Sequence, residues 1–165
     1  DDLLVLARLG ATTARREPVD LRGLVDGVVP RSVLAAGASR PAGSPVPRVE
    51  TTGAGTAATD PSAAGRAVRN LVDNALRHAS SRVLVQVSDG EVVVVDDGPG
   101  IAAADRERVF ERFTRLEDGR QRDAGGSGLG LSIAREVARE LGGDVRLDEA
   151  PGGGVRATVS LPPAT

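Results

Sequence analysis

Apolar residues recur along this chain with a period that alternates between helical and strand spacing. From Arg66 to Ala79, Val68, Leu71, Val72, Ala75, Leu76 and Ala79 form the stripe of one amphipathic helix. Asp60 is a favourable N-cap and Pro61 a favourable first helical residue for it. Leu21 to Ala36 reads as a second helix, with Leu24, Val25, Val28, Val29, Val33 and Leu34 apolar; Pro30 inside it predicts a kink or a break. Ser127 to Leu141 reads as a third, ended by Gly142-Gly143. The pattern turns valine-rich in Arg82 to Ser88 and Glu91 to Asp96. These flank Asp89-Gly90, a strong hairpin signal. Asp144 to Glu149 and Gly154 to Leu161 form a second hairpin across Pro151-Gly152-Gly153. Val46 to Thr51 and Thr56 to Thr59 are weaker strand candidates, and Pro18 to Leu21 is a short extended entry. Ala38 to Pro45 is a loop, Ala102 to Phe113 a short, partly helical piece, and Thr114 to Gly126 a polar segment without period, expected to be mobile. Asp1 to Gly10, with Leu3, Leu6 and Leu9, reads as the end of a helix that needs a partner helix to bury its stripe. The order helix, two strands, helix, two strands predicts an α+β fold. It is a two-layer sandwich of a mixed, mostly antiparallel sheet with helices on one face.

Composition narrows the chemistry. The 165 residues suit one domain with a real core. A net charge of −2 leaves no electrostatic footprint for nucleic acid or for direct contact with an anionic membrane. All 21 basic residues are arginine, which excludes a P-loop lysine. The absence of cysteine excludes disulfides, thiolate metal sites and thiol nucleophiles, and the single histidine, His78, makes a multi-histidine metal site untenable. No apolar run approaches a membrane span. The chain contains no methionine, so it reads as a piece of a longer protein.

Three stretches carry candidate chemistry. Asn70, Asn74 and His78 step by four and lie one above another on the central helix. A solvated polar face has the same spacing, but asparagine is a poor interior helix residue, and a ligand that needs carboxamide oxygens would explain its cost. Asp96-Asp97-Gly98-Pro99-Gly100 follows a buried strand: either a polar turn, or a carboxylate that accepts from an exocyclic amine such as adenine's, with glycines permitting close approach. Gly125 to Gly130, GGSGLG, opens a helix whose free N–H groups and dipole suit a phosphate chain; it is neither a P-loop nor a dinucleotide fingerprint. Phe110 and Phe113, the only aromatics, read either as core or as anchors for one end of a lid, and Arg115 beyond them either reaches a phosphate or is solvated.

NLVDNALRH, DDGPGI, VFERFTR and GGSGLGL, in this order, resemble the N, G1, F and G2 boxes of the ATP-binding catalytic domain of sensor histidine kinases. The resemblance spans Pro18 to Leu161, and PVDL with the preceding leucine-rich segment resembles that family's junction with its dimerisation and phosphoacceptor domain. It therefore implies residues 1–16 as the end of that helical domain and 17–165 as a catalytic domain with a Bergerat-type ATP-binding fold. It implies ATP and Mg²⁺ as cofactors. Asn70 and Asn74 would be metal ligands, the metal bridging phosphates. With Arg77 and Arg115, which would reach the phosphates, they make up the catalytic set. His78 would lie beside the adenine ring and Asp96 would bind its amino group. Gly98, Gly100 and Ile101 would shape the base pocket, and Gly126, Gly128, Leu129, Gly130 and Leu131 would form the hinge and phosphate-facing helix start. Residues 102–125 would be an ATP lid. The implied partners are the phosphoacceptor hairpin of the same dimeric parent and a response regulator; the implied setting is a cytoplasmic domain of a membrane-anchored parent. The phosphoacceptor histidine of that hairpin is not in this chain, since His78 falls in the N box, so ATP binding without autophosphorylation is expected. Two other readings stand: an anti-sigma-type serine kinase or ATPase of the same superfamily, which typically places glutamate where this chain has Asn70, and a non-catalytic nucleotide-binding docking module.

Overall fold

The computed structural model describes residues 15–114 and 128–165. The expected helix over Asp1 to Gly10 and most of the Thr114 to Gly126 segment lie outside the described residues. Within them the chain runs β1 (Glu17–Asp20), α1 (Leu21–Ala38), β2 (Arg48–Gly53), β3 (Thr56–Thr59), α2 (Pro61–His78), β4 (Arg82–Ser88), β5 (Glu91–Asp96), two 3₁₀ turns (Ala103–Asp105 and Arg108–Phe110), α3 (Gly130–Glu140), β6 (Asp144–Glu149) and β7 (Val155–Ser160). The main sheet has the order β2-β4-β5-β7-β6. Only β2 and β4 pair in parallel; every other pairing is antiparallel. The α+β expectation therefore holds.

Alternation along the strands decides which face is buried. Val83, Val85, Val92, Val94, Val145 and Val159 are solvent-free and join one core with Val68, Leu71, Val72 and Leu76 of α2 and Val137 and Leu141 of α3. The caps are those expected: Asp60 accepts from the Ala63 N–H at 2.8 Å with Pro61 in the first turn, and Asp20 caps α1 through the Arg22 N–H at 3.0 Å. Three features depart from expectation. The helix α1 runs through Pro30 without a break, because Leu21 and Val25 lock its first half into the core while Pro30 faces solvent. The entry segment is a strand, β1, that pairs antiparallel with β3 as a separate two-stranded ribbon. The helix α3 starts at Gly130, three residues later than the apolar period suggests.

Candidate functional site

The central helix α2 is the scaffold. Its stripe from Ala64 to Leu76 is buried, which turns Asn70 and Asn74 to a partly exposed face and brings Arg77 and His78 out at the C-terminal end. Asn70 faces the start of α3: its amide oxygen is the one atom within 4 Å of the position a Cβ at Gly130 would occupy, at 4.0 Å. Asn70 therefore stands beside the N-terminus of α3. Leu129, at the N-cap of α3, makes no side-chain cap, whereas α1 and α2 are each capped by an aspartate. The first N–H groups of α3 point out of the helix with no such cap from Leu129. Leu129 itself is buried, Leu131 packs partly against the core, and the Ser132 hydroxyl donates to the Leu129 carbonyl at 2.9 Å.

Strand β5 delivers Asp96 to the other side of the same helix end. Asp96 is only 4% exposed, a burial that a carboxylate accepts only with donors around it. Its Oδ1 accepts the Gly98 N–H at 2.9 Å and the Val155 N–H at 3.3 Å. Burial pushes its carboxyl above the usual carboxylate range, while the two N–H donors and the nearby His78 charge oppose that rise. Gly98 is required by this packing: a Cβ there would overlap the His78 carbonyl oxygen and sit 3.0 Å from Asp96 Oδ1. Gly100, at φ +77°, lies against the Gly153 carbonyl, and Gly154 lies against the Asp96 carbonyl. These glycines thus meet protein backbone, fastening the 96–100 turn onto the β6–β7 turn. Ile101 is partly buried against the core behind them.

Sequence reasoning overlooked two parts of this arrangement. Gly154 and Val155 support Asp96 through backbone, which leaves no side-chain signature beyond the glycine run 152–154. Asp97 is a clamp: Oδ1 accepts from the Ser80, Ser81 and Arg82 N–H groups at 2.9, 3.0 and 3.0 Å, and Oδ2 accepts from the Ser81 hydroxyl. It ties the exit of α2 to the end of β5, which fixes Asp96 relative to His78. Those bonds, the Ser81 hydroxyl foremost, hold its carboxyl well below the usual range. Of the expected site residues, Asn70, Asn74, Arg77 and His78 share one helix, and Asp96, Gly98, Gly100 and Ile101 form the turn at its C-terminal end. Gly128, Leu129, Gly130 and Leu131 form the helix start facing Asn70. Arg115 and Gly126 lie outside the described residues. Phe110 packs partly against the core, but Phe113 is 64% exposed with a positive φ of 62°, so only the first of the pair is seated on the body.

This fold sets a glycine-led helix start opposite an asparagine-bearing helix whose C-terminal end meets a buried strand-end aspartate. Residues 59–165 match the family described as Histidine kinase-, DNA gyrase B-, and HSP90-like ATPase, and the chain belongs to that family. It is 44% identical over 101 residues to the sensor protein RstB of Escherichia coli, covering 59% of this chain and 23% of RstB. The full-length structure of ShkA in complex with AMPPNP superposes with a TM-score of 0.75 at 29% identity, covering 99% of this chain and 35% of ShkA. The mycobacterial sensor histidine kinase MprB structure superposes with a TM-score of 0.67 at 31% identity, covering 90% of this chain and 99% of that one. The chain spans about a quarter of the length of curated relatives such as RstB.

Proposed function

We propose that this chain is the catalytic ATP-binding part of a sensor histidine kinase. It would hold Mg-ATP so that the γ-phosphate meets a histidine brought by a phosphoacceptor hairpin of the same dimeric parent, for relay to a response regulator. Residues 17–165 would make up the catalytic domain and 1–16 the end of the helix leading into it. The parent is a membrane-anchored protein with this domain in the cytoplasm; among the described residues, no helix is long and apolar enough to cross a membrane. The observation that carries the reading is Asp96. The two backbone donors hold Oδ1 and orient a buried carboxylate whose Oδ2 would accept from a ligand amine. Adenine presents such an amine, and the ring would lie against Gly98, Gly100, Ile101 and His78. The phosphates would then run toward the start of α3, where Gly126, Gly128, Leu129, Gly130 and Leu131 offer N–H groups and Arg77 and Arg115 offer charge.

Among the described residues, no group of three or more acidic, histidine or cysteine side chains is placed to hold a metal. Two amide oxygens fit Mg²⁺ only as a shared site, since the ion prefers oxygen ligands and keeps phosphates and waters as the rest. The Asn70 amide oxygen, turned toward the glycine-led start of α3, suits that arrangement, with Asn70 and Asn74 supplying the protein ligands. When bound, the ion would neutralise phosphate charge. The chain's own part is positioning: the Asn70 amide cannot take a proton from water as a glutamate there would, which favours transfer to a histidine over hydrolysis. The test has two arms. Titration calorimetry should give Mg-dependent ATP binding by the wild-type chain and none by Asp96→Asn, which trades an acceptor-only group for an amide. Labelled ATP mixed with the chain and the parent's phosphoacceptor hairpin should label histidine, whereas the chain alone should stay unlabelled. Binding without transfer would favour the docking-module reading.

A further inference from the structure

A cluster of ionic side chains outside the nucleotide residues joins α3 to the segment before Phe113. Arg135, near the middle of α3, is 16% exposed, and two of its three guanidinium nitrogens are engaged by carboxylates. Nη1 donates to Glu107 Oε2 at 2.7 Å and Nε to Asp144 Oδ1 at 3.0 Å, while Cζ lies 4.3 Å from the centroid of the Phe110 ring. The next residue, Glu136, accepts from Arg112 Nη2 at 2.7 Å. The charges are thus crossed: α3 supplies the cation at 135 and the anion at 136, and the 103–114 segment supplies the anion at 107 and the cation at 112. Beyond this clasp, the Phe113 N–H donates to the Gly128 carbonyl at 3.1 Å, pinning the segment to the residue that leads into α3. A planar guanidinium that stacks on a ring while bridging two carboxylates fixes direction as well as distance, which an ammonium would not. Its targets are the 3₁₀ turn at Arg108–Phe110 and the first residue of edge strand β6.

We propose that Arg135 is a positioning residue for the nucleotide site: by clasping Glu107, Phe110 and Asp144 to α3, it sets where the Gly128–Gly130 helix start stands relative to Asn70. This rests on the reading of that helix start as the phosphate-binding end. Among the described residues, no hydrogen bond or ion pair joins Asp96, Gly98 or Val155 at the adenine end to Arg135, Glu107 or Asp144, so the two halves of the ligand are expected to respond differently. Calorimetry with Mg-ATP and an NMR titration with adenosine, both on the full chain, separate them. Arg135→Gln should weaken Mg-ATP binding about tenfold and leave the adenosine Kd unchanged. Arg135→Lys should recover part of the loss, and Glu107→Gln, which keeps the Phe110 stack and the Asp144 pair, should weaken Mg-ATP about threefold. If Arg135→Gln does not fold, Glu107→Gln and Arg112→Gln carry the test with the same split between ligands. Equal loss for ATP and adenosine, or no loss for either while the wild type binds ATP, would overturn the inference and leave the nucleotide reading standing. A wild-type chain that binds neither ligand would end that reading, and the inference with it.

Discussion

A methyl group on residue 98 has nowhere to go, because the His78 carbonyl oxygen and the Asp96 carboxylate occupy its place. Backbone cannot swing aside as the end of a long side chain can, so Gly98→Ala should cost about 2 kcal/mol, read as a lower urea midpoint. An unchanged midpoint would mean that the 96–100 turn is loosely seated. Asp97, next door, makes a prediction in pH. Its folded-state carboxyl is depressed, so its stabilisation is complete above the unfolded carboxylate range near about 4 and fades as pH falls through the depressed folded value. Asp97→Asn should therefore unfold at lower urea than the wild type at pH 7, and the gap should close on acidification. A gap as wide at about pH 2 as at pH 7 would mean the clamp does not depend on the charge. Asp96 acts with the opposite sign: its raised carboxyl holds a proton longer in the folded state, so its cost to stability appears as pH rises above the unfolded range. Asp96 was legible in the sequence as a carboxylate closing a valine strand. Its supports at Gly154 and Val155 were not, since a backbone N–H carries no residue identity.

Helix α1 shows that tertiary packing can override a local breaker. Pro30 removes one donor, that of the bond to the Asp26 carbonyl, yet the helix continues to Ala38. Pro30→Ala should restore that bond on an exposed face and raise stability by about 2 kcal/mol, seen as a higher Tm. A fall in Tm would mean that the helix is bent at this point to fit its neighbours. Elements with strong period were legible: the α2 and α3 stripes and the two hairpins, one of them turning at Asp89-Gly90, where Gly90 supplies a φ of +71°. The β1–β3 ribbon was not. Its four-residue strands contain a proline and small residues, and what pairs them is distant in sequence, with Glu17 opposite Thr59. The parallel β2–β4 pairing was hidden for the same reason, as long-range pairing leaves no local trace.

At the scale of the whole molecule, three elements that are far apart in sequence carry the candidate site. These are α2, the strand end of β5 that meets it at His78, and the glycine-led start of α3 that meets it at Asn70. The core beneath them is one continuous body of sheet valines and helix leucines, so the three elements share one packed support. Its order along the chain made most of the site legible, because each element contributes a short run with an unusual residue: paired asparagines, a double aspartate, a glycine cluster. What the sequence left unspoken is how those runs are held to one another, by the Asp97 clamp and the Arg135 clasp. The most direct test is an NMR titration of the chain with Mg-ATP, following every backbone amide. The account predicts that the largest shifts fall on residues 70–78, 96–101, 128–131 and 153–155 together, saturating with one Kd. Shifts confined to the outer face of the sheet, or divided into groups that saturate separately, would contradict a single shared cleft.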